Sequence, residues 1–171
     1  ILKSNWKDLE NDNNIISKTW SYDTFGANIV SHTYTNGIGI IEFDASVTKI
    51  YGAFDMCYTL KNIAIPSSIT SITEFAFSKC SSLASINIPN SVTEIGTYAF
   101  NECTSLTNIT IPDSVTALGE GAFCGTSLTS VTIPNSVTSV GRFVFEACSL
   151  LTNFYGKFAS SDNRCLIVNG V

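Results

Sequence analysis

Residues 90–112 read NSVTEIGTYAFNECTSLTNITIP, and nearly the same line stands before and after them. Phe54, Phe77, Phe100, Phe123 and Phe145 follow one another at steps of 23, 23, 23 and 22 residues. Pro66, Pro89, Pro112 and Pro134 keep this period, as do Leu60, Leu83, Leu106, Leu128 and Leu151. A fixed period of roughly 20–30 residues marks a solenoid. One unit cannot bury Val92, Ile95, Phe100, Leu106, Ile109 and Ile111 by itself. Stacking like on like at the ~4.8 Å interstrand spacing turns them into continuous apolar columns. The expected fold is therefore a solenoid of about five stacked coils of 22–23 residues.

Within the unit, Leu106, Ile109 and Ile111 are the apolar points of LxxIxI, and the last three residues alternate as a strand does. Pro112 ends that strand because it has no N–H to donate. Asp113-Ser114 turns the chain, as Asn90-Ser91 and Asn135-Ser136 do in their own coils. Val115 to Leu118 is a second short strand. Gly96, Gly119 and Gly141 recur just after it, at a corner expected to need positive φ. Tyr98-Ala99-Phe100 is too short for a full helix and predicts a turn of 3₁₀ or α-helix. Two ladders of short parallel strands follow, one of LxxIxI segments and one of SVTxI segments.

Residues 1–42 read as an N-terminal capping segment. Asn5 is placed to cap a short helical turn through Trp6 and Leu9, and Trp20, Tyr22 and Phe25 read as a lid over the first coil. Ile29–Phe43 reads as a β-hairpin around Asn36-Gly37, a pair that accepts positive φ at both turn positions. Its second arm lies in repeat register, with Ile38, Ile41 and Phe43 standing 22 residues before Leu60, Ile63 and Ile65. That register predicts that the arm supplies the first half-coil. Repeats then occupy 43–155, and 156–171 is a C-terminal flank, the start of a further element cut short after CLIVNGV. With no initiator Met and no signal peptide, a processed or engineered start is expected at Ile1.

At these residues the chain resembles the BspA-like, Treponema-type class of leucine-rich repeats, whose unit reads LxxIxIPxSVTxIGxxAFxxCxS. Residues 83–105 and 106–127 match it almost position for position, and the resemblance runs from about Phe43 to Tyr155. FYGKFASSDNRCLIVNG and FGANIVSHTYTNG are similar to segments that flank such repeats in gut Bacteroides proteins. The resemblance implies a curved right-handed leucine-rich-repeat solenoid, secretion or display at the cell surface, and adhesin-like binding to host proteins or other cells. Departures from the pattern are Tyr51 and Thr73 at the corner, a fourth coil one residue short at Cys124-Gly125, and Gly156-Lys157 in place of Ile-Pro.

Composition narrows the function classes. Only 13% of the 171 residues are charged, against about 25% in ordinary domains, and Ser, Thr and Asn make up about a third of the chain. The formal net charge is −5 with no basic cluster, which disfavours a nucleic-acid partner. No apolar run approaches the ~20 residues that span a bilayer.

Catalytic and metal signals are equally thin. Cys57, Cys80, Cys103 and Cys148 each stand three residues after the repeat Phe, so they are one core position copied and read as buried free thiols. Adjacent coils would leave disulfide geometry within reach, but four ligands in a straight row cannot make a tetrahedron. Cys124 and Cys165 lie off that register and are expected to be the more reactive pair. His32, the single histidine, reads as a surface residue of the hairpin. Asp8, Glu10, Asp12 and Asn14 alternate like the start of a calcium loop but lack its glycine and its bidentate Glu. No residue set calls for a catalytic group, a cofactor or a metal, so the chain reads as a non-enzyme.

The binding candidates are the residues that alternate with the buried Ile of LxxIxI: Asn62 and Ala64, Ser85 and Asn87, Asn108 and Thr110, Ser130 and Thr132, Asn153 and Tyr155. The resemblance sets this face on the concave side. Two readings stand: a solubilising coat on an exposed sheet, or a hydrogen-bonding track for a protein or glycan. Asp113-Ser114-Val115 also resembles a short Bacteroides O-glycosylation motif. The expected function is a non-catalytic cell-surface or secreted binding module for a host extracellular-matrix or cell-surface protein. The alternative is a structural spacer or stalk in a larger surface protein.

Overall fold

The computed structural model describes residues 2–4, 25–35 and 38–162, with the side chains of 25–31 and 40–162. The strands are Leu2–Ser4 (β1), Ile29–Thr35 (β2), Ile38–Phe43 (β3), Lys49–Ile50 (β4), Ile63–Ala64 (β5), Ser71–Ile72 (β6), Glu94–Ile95 (β7), Ala117–Leu118 (β8), Ser130–Ile133 (β9), Ser139–Val140 (β10) and Asn153–Gly156 (β11). The repeats wind into a β-solenoid of about five turns with parallel strands and almost no helix. Each coil is named here by its Phe, from coil 1 at Phe54 to coil 5 at Phe145.

The SVTxI row is the continuous ladder. Strands β4, β6, β7, β8 and β10 pair in parallel, with Ile50, Ile72, Ile95, Leu118 and Val140 in register. The LxxIxI row differs from expectation. It pairs as strands only from β9 to β11, and is otherwise linked between coils by a bridge between Ala64 and Asn87 and by single bonds such as Ala84 N–H to the Lys61 carbonyl at 3.3 Å. The N-terminal end also departs from the expected order. β2 and β3 form the hairpin, but β3 does not stack on coil 1. β1 lies between them, antiparallel to both β3 and β5. Repeat register in Ile38–Phe43 was therefore insufficient to set the partner, because another segment offered the same edge an antiparallel match.

Inside the coils the columns form as expected. The rings of Phe54, Phe77, Phe100, Phe123 and Phe145 stack with centroids 5.3–5.6 Å apart and planes within 8°. Phe25 closes the column at one end, edge-on to Phe54 at 6.3 Å, and Phe154 at the other, edge-on to Phe145 at 6.0 Å. Phe25 is fully buried and acts as the lid read from the sequence; Trp20 and Tyr22, like Asn5, lie outside the described residues.

The arc that follows each corner is a chain of turns. Ala76, Ser78 and Cys80 donate N–H to the carbonyls three residues back, the bond type of a 3₁₀ turn. Phe75, Phe77 and Lys79 instead donate to Thr97, Ala99 and Asn101 of the next coil at 2.7–3.0 Å. This alternation needs left-handed residues two before and two after each core Phe. Phe75, Tyr98 and Phe143 fill the first place, and Met56, Lys79, Glu102 and Ala147 the second, with φ of 52–60°. Gly52, Gly121 and Gly125 take the remaining places. The expected positive φ thus lies here and not at Gly96, Gly119 and Gly141. Those glycines answer to crowding: a Cβ on Gly96 would sit 2.8 Å from the backbone of Thr73, and one on Gly119 would run into Gly96.

Hydroxyl groups stitch the coils together, which accounts for much of the Ser and Thr content. Thr70, Thr93, Thr116 and Thr138 each send both N–H (2.8–2.9 Å) and Oγ1–H (3.2 Å) to the carbonyl of the matching Thr one coil earlier. Ser91 and Ser114 donate to Ile69 and Val92 at 2.6 Å. Val137 has no such serine after it; Lys157 reaches its carbonyl at 2.6 Å and closes that end of the row.

Candidate functional site

The expected track is laid out where the alternation puts it. Ile86, Ile88, Ile111, Val131 and Ile133 point inward and are buried. Between them, Asn62, Ala64, Ser85, Asn87, Asn108, Thr110, Thr132, Asn153 and Tyr155 are exposed, and Ser130 is half-buried. Strand register brings Asn153 beside Ser130 and Tyr155 beside Thr132, and the bridge brings Ala64 beside Asn87. At the other end Ala64 pairs with Lys3, so β1 borders the track there. No charged side chain stands among the ten. What the surface can do chemically is donate and accept neutral hydrogen bonds along two lanes that end in one aromatic ring.

The remaining candidates resolve as follows. Cys57, Cys80, Cys103 and Cys148 are buried thiols, none of them in a disulfide. Cys80, Cys103 and Cys148 donate to the carbonyls of Phe54, Phe77 and Phe123 at 3.1 Å. Burial pushes the Cys103 thiol up to about 12 and raises Cys80 well above its ordinary value. Cys124 is half-buried, and burial followed by the Glu146 charge raises its thiol too. A raised thiol holds less nucleophilic thiolate, so its surroundings do not activate Cys124, although it is less buried than the four copied cysteines.

In the same coil Gly125 and Thr126 align with Glu102 and Cys103: Gly125 donates to Glu146 just as Glu102 donates to Cys124. The missing residue therefore falls after Thr126 and not at Cys124-Gly125, and Thr126 takes the cysteine's place, 3.2 Å from Cys148 Sγ. The hydroxyl of Ser114 donates to the Val92 carbonyl, so the residue of the glycosylation-like triplet also serves the repeat architecture. His32 pairs through its backbone with Ile41; its side chain, Cys165 and the Asp8–Asn14 run lie outside the described residues. Among the described residues no group of three or more His, Cys, Asp or Glu is placed to hold a metal ion, and no helix is long and apolar enough to cross a membrane.

One row escaped the sequence reading. Two residues before the core Phe stand Gly52, Phe75, Tyr98, Gly121 and Phe143. Phe75 and Phe143 are 42% and 53% exposed, and Phe75 stacks on Tyr98 at 5.7 Å and 12°. Tyr98 donates to Glu120 at 3.3 Å; desolvation and that carboxylate raise its phenol above the ordinary value. The aromatic signal was present at the repeat period but was masked by the stronger Phe column two residues on.

Comparison with known proteins agrees with this architecture. Residues 28–154 match the family model described as BspA type leucine rich repeat region, in six copies. A leucine-rich repeat protein from Bacteroides ovatus superposes with a TM-score of 0.62 at 35% identity, over 77% of this chain and 33% of that one. The leucine rich repeat protein of T. pallidum gives 0.62 at 29% identity, over 80% and 71%. A leucine rich cell surface protein from Faecalibacterium prausnitzii gives 0.50 at 27% identity, over 75% and 46%. The chain thus spans a third of the Bacteroides protein and under half of the Faecalibacterium one. No curated protein matches it.

Proposed function

The chain belongs to the BspA-type leucine-rich-repeat family, and from that premise we propose that it is a non-catalytic module binding a protein partner through its LxxIxI face. The carrying observation is the run of neutral side chains from Asn62 to Tyr155, exposed at nine of its ten positions. A docking surface gains from equal spacing, because each coil can add one weak contact to the next. Low charge on the track means that complementarity of hydrogen bonds, and not electrostatic steering, would set specificity. Secretion or surface display, and a host matrix or cell-surface protein as partner, are part of the proposal. They rest on the family and on the neighbour described as a cell surface protein.

The test is a screen of the purified domain against arrays of extracellular-matrix proteins and mucin glycoproteins, with the triple variant Asn87→Lys, Asn108→Lys, Thr110→Lys alongside. Binding that the variant loses supports the track. Binding that it keeps moves the site elsewhere, a glycan hit changes the partner class, and no binding by either folded protein favours the spacer reading.

A further inference from the structure

The N-terminal sheet ends in a strand with no neighbour on its outer side among the described residues. The strand order is β2, β3, β1, β5. β5 carries Ala64 of the track, and β2 is the opposite edge. β2 is seven residues long, whereas no other edge strand exceeds four. Its register decides which backbone groups it leaves open. Thr35 pairs with Ile38 and Thr33 with Ile40. Thr35 and Ile38 flank a two-residue connection, where opposed residues exchange both backbone bonds. Exchange then alternates along an antiparallel pair. Thr35, Thr33 and Ser31 thus turn N–H and C=O toward β3, and His32 and Tyr34 turn theirs outward.

This edge lacks the usual guards. Edges that must stay single are kept very short or carry charge or proline, but residues 29–35 read IVSHTYT, with no Asp, Glu, Lys, Arg or Pro. The register shift at Val30, which is 62% exposed, bends only the start of the strand. The regular stretch that remains, residues 31–35, has Thr33 at its midpoint. A two-fold axis at Thr33 sets His32 opposite Tyr34 of a second copy, and every outward N–H and C=O of both residues then finds a partner. An axis at His32 or at Tyr34 would pair the groups of one residue alone. Charge permits the same arrangement. Glu42 and Asp44 lie at the Ile29 end, where they accept hydrogen bonds from Ser31 and Asn28. The axis brings that end beside residues 35–38 of the other copy, which hold no charge.

We propose that β2 is an interface between copies of this chain, pairing antiparallel with β2 of a second copy about a two-fold axis at Thr33. The strand of an unrelated partner needs no symmetry in residues 31–35, so the central place of Thr33 favours the second copy. Two-fold pairing uses up the edge in both chains, and assembly stops at the dimer. Because β2 lies across the sheet from β5, the track stays free in each copy. One particle then presents two tracks, which strengthens attachment to a surface through weak contacts.

The test is sedimentation velocity on the whole protein from micromolar to millimolar concentration, with amide hydrogen exchange measured by NMR at both ends of that range. The dimer fraction should rise with concentration. The amides of His32 and Tyr34 should slow by about tenfold or more, while those of Thr33 and Thr35, already bonded to β3, should change little. Thr33→Lys sets two like charges opposite each other at the axis and should give a folded monomer. Thr33→Glu should do the same, and the two variants mixed should associate again. A monomer at every concentration would overturn the proposal, even one whose β2 amides are protected by added acetyl-TVTVT-amide. So would a dimer whose added protection falls on Phe143, Phe145 and Ala147 at the coil 5 edge, or Lys and Glu variants that keep the wild-type melt yet stay apart when mixed.

Discussion

Ser114 and Ser136 hold the same repeat position but different bonds. Ser114 donates to Val92 at 2.6 Å, whereas the buried hydroxyl of Ser136 has no partner among the described residues. Ser114→Ala should therefore lose about 1 kcal/mol in urea unfolding, and Ser136→Ala should be neutral or stabilising; equal losses would contradict the bond pattern. The thiols make a pH prediction. Below pH about 9 they are protonated in both states and contribute no pH dependence. Above it the unfolded chain ionises while buried Cys80 and Cys103 stay neutral, Cys103 up to about 12. Stability must then fall as pH rises, by up to about 1.4 kcal/mol per unit for each such thiol. Cys103→Thr, which copies the natural replacement at Thr126, should keep the fold and shallow that slope in thermal melts taken across the alkaline range. At this scale the sequence was legible where a residue type has one use, as for the copied cysteines. It misled at Gly96 and Gly119, because a glycine needed for positive φ and one needed for a close approach look alike as letters.

The strands and arcs are too short to stand alone, and their stability is borrowed from the coil above and below. Gly119 is the sharpest case. A methyl group there would run into the backbone of Gly96, so Gly119→Ala should cost at least about 3 kcal/mol, the upper end for over-packing. Calorimetry is the check, and a midpoint near wild type would refute the close stacking. Period and alternation made the SVTxI ladder and the outward setting of nine of the ten candidate residues readable in advance. The broken LxxIxI ladder was not, since alternation reports which side chains are buried and not whether carbonyls reach the next coil. Nor was the place of β1, whose three residues carry no period and are fixed only by the edge that β3 and β5 leave between them.

As a whole the molecule behaves as a row of nearest neighbours. Phe100 touches Phe77 and Phe123, so Phe100→Ala should cost about 3–5 kcal/mol and be felt in both adjoining coils. Removal of residues 91–113, which joins Asn90 to Ser114 in register, should give a shorter folded protein with a cooperative melt; removal of half that span should not. The direction of the backbone bonds bears on this freedom to lengthen. Residues beside the SVTxI strands, such as Thr93 and Gly96, point their N–H groups toward the preceding coil, while Phe75, Phe77 and Lys79 on the arc point theirs toward the following one. Aligned peptides in an α-helix leave about half a unit charge at each end. Here the two sides of a coil oppose each other, so part of each coil's dipole is cancelled by the same coil. Added turns therefore build less charge at the ends of the stack than the same number of peptides would build in a helix.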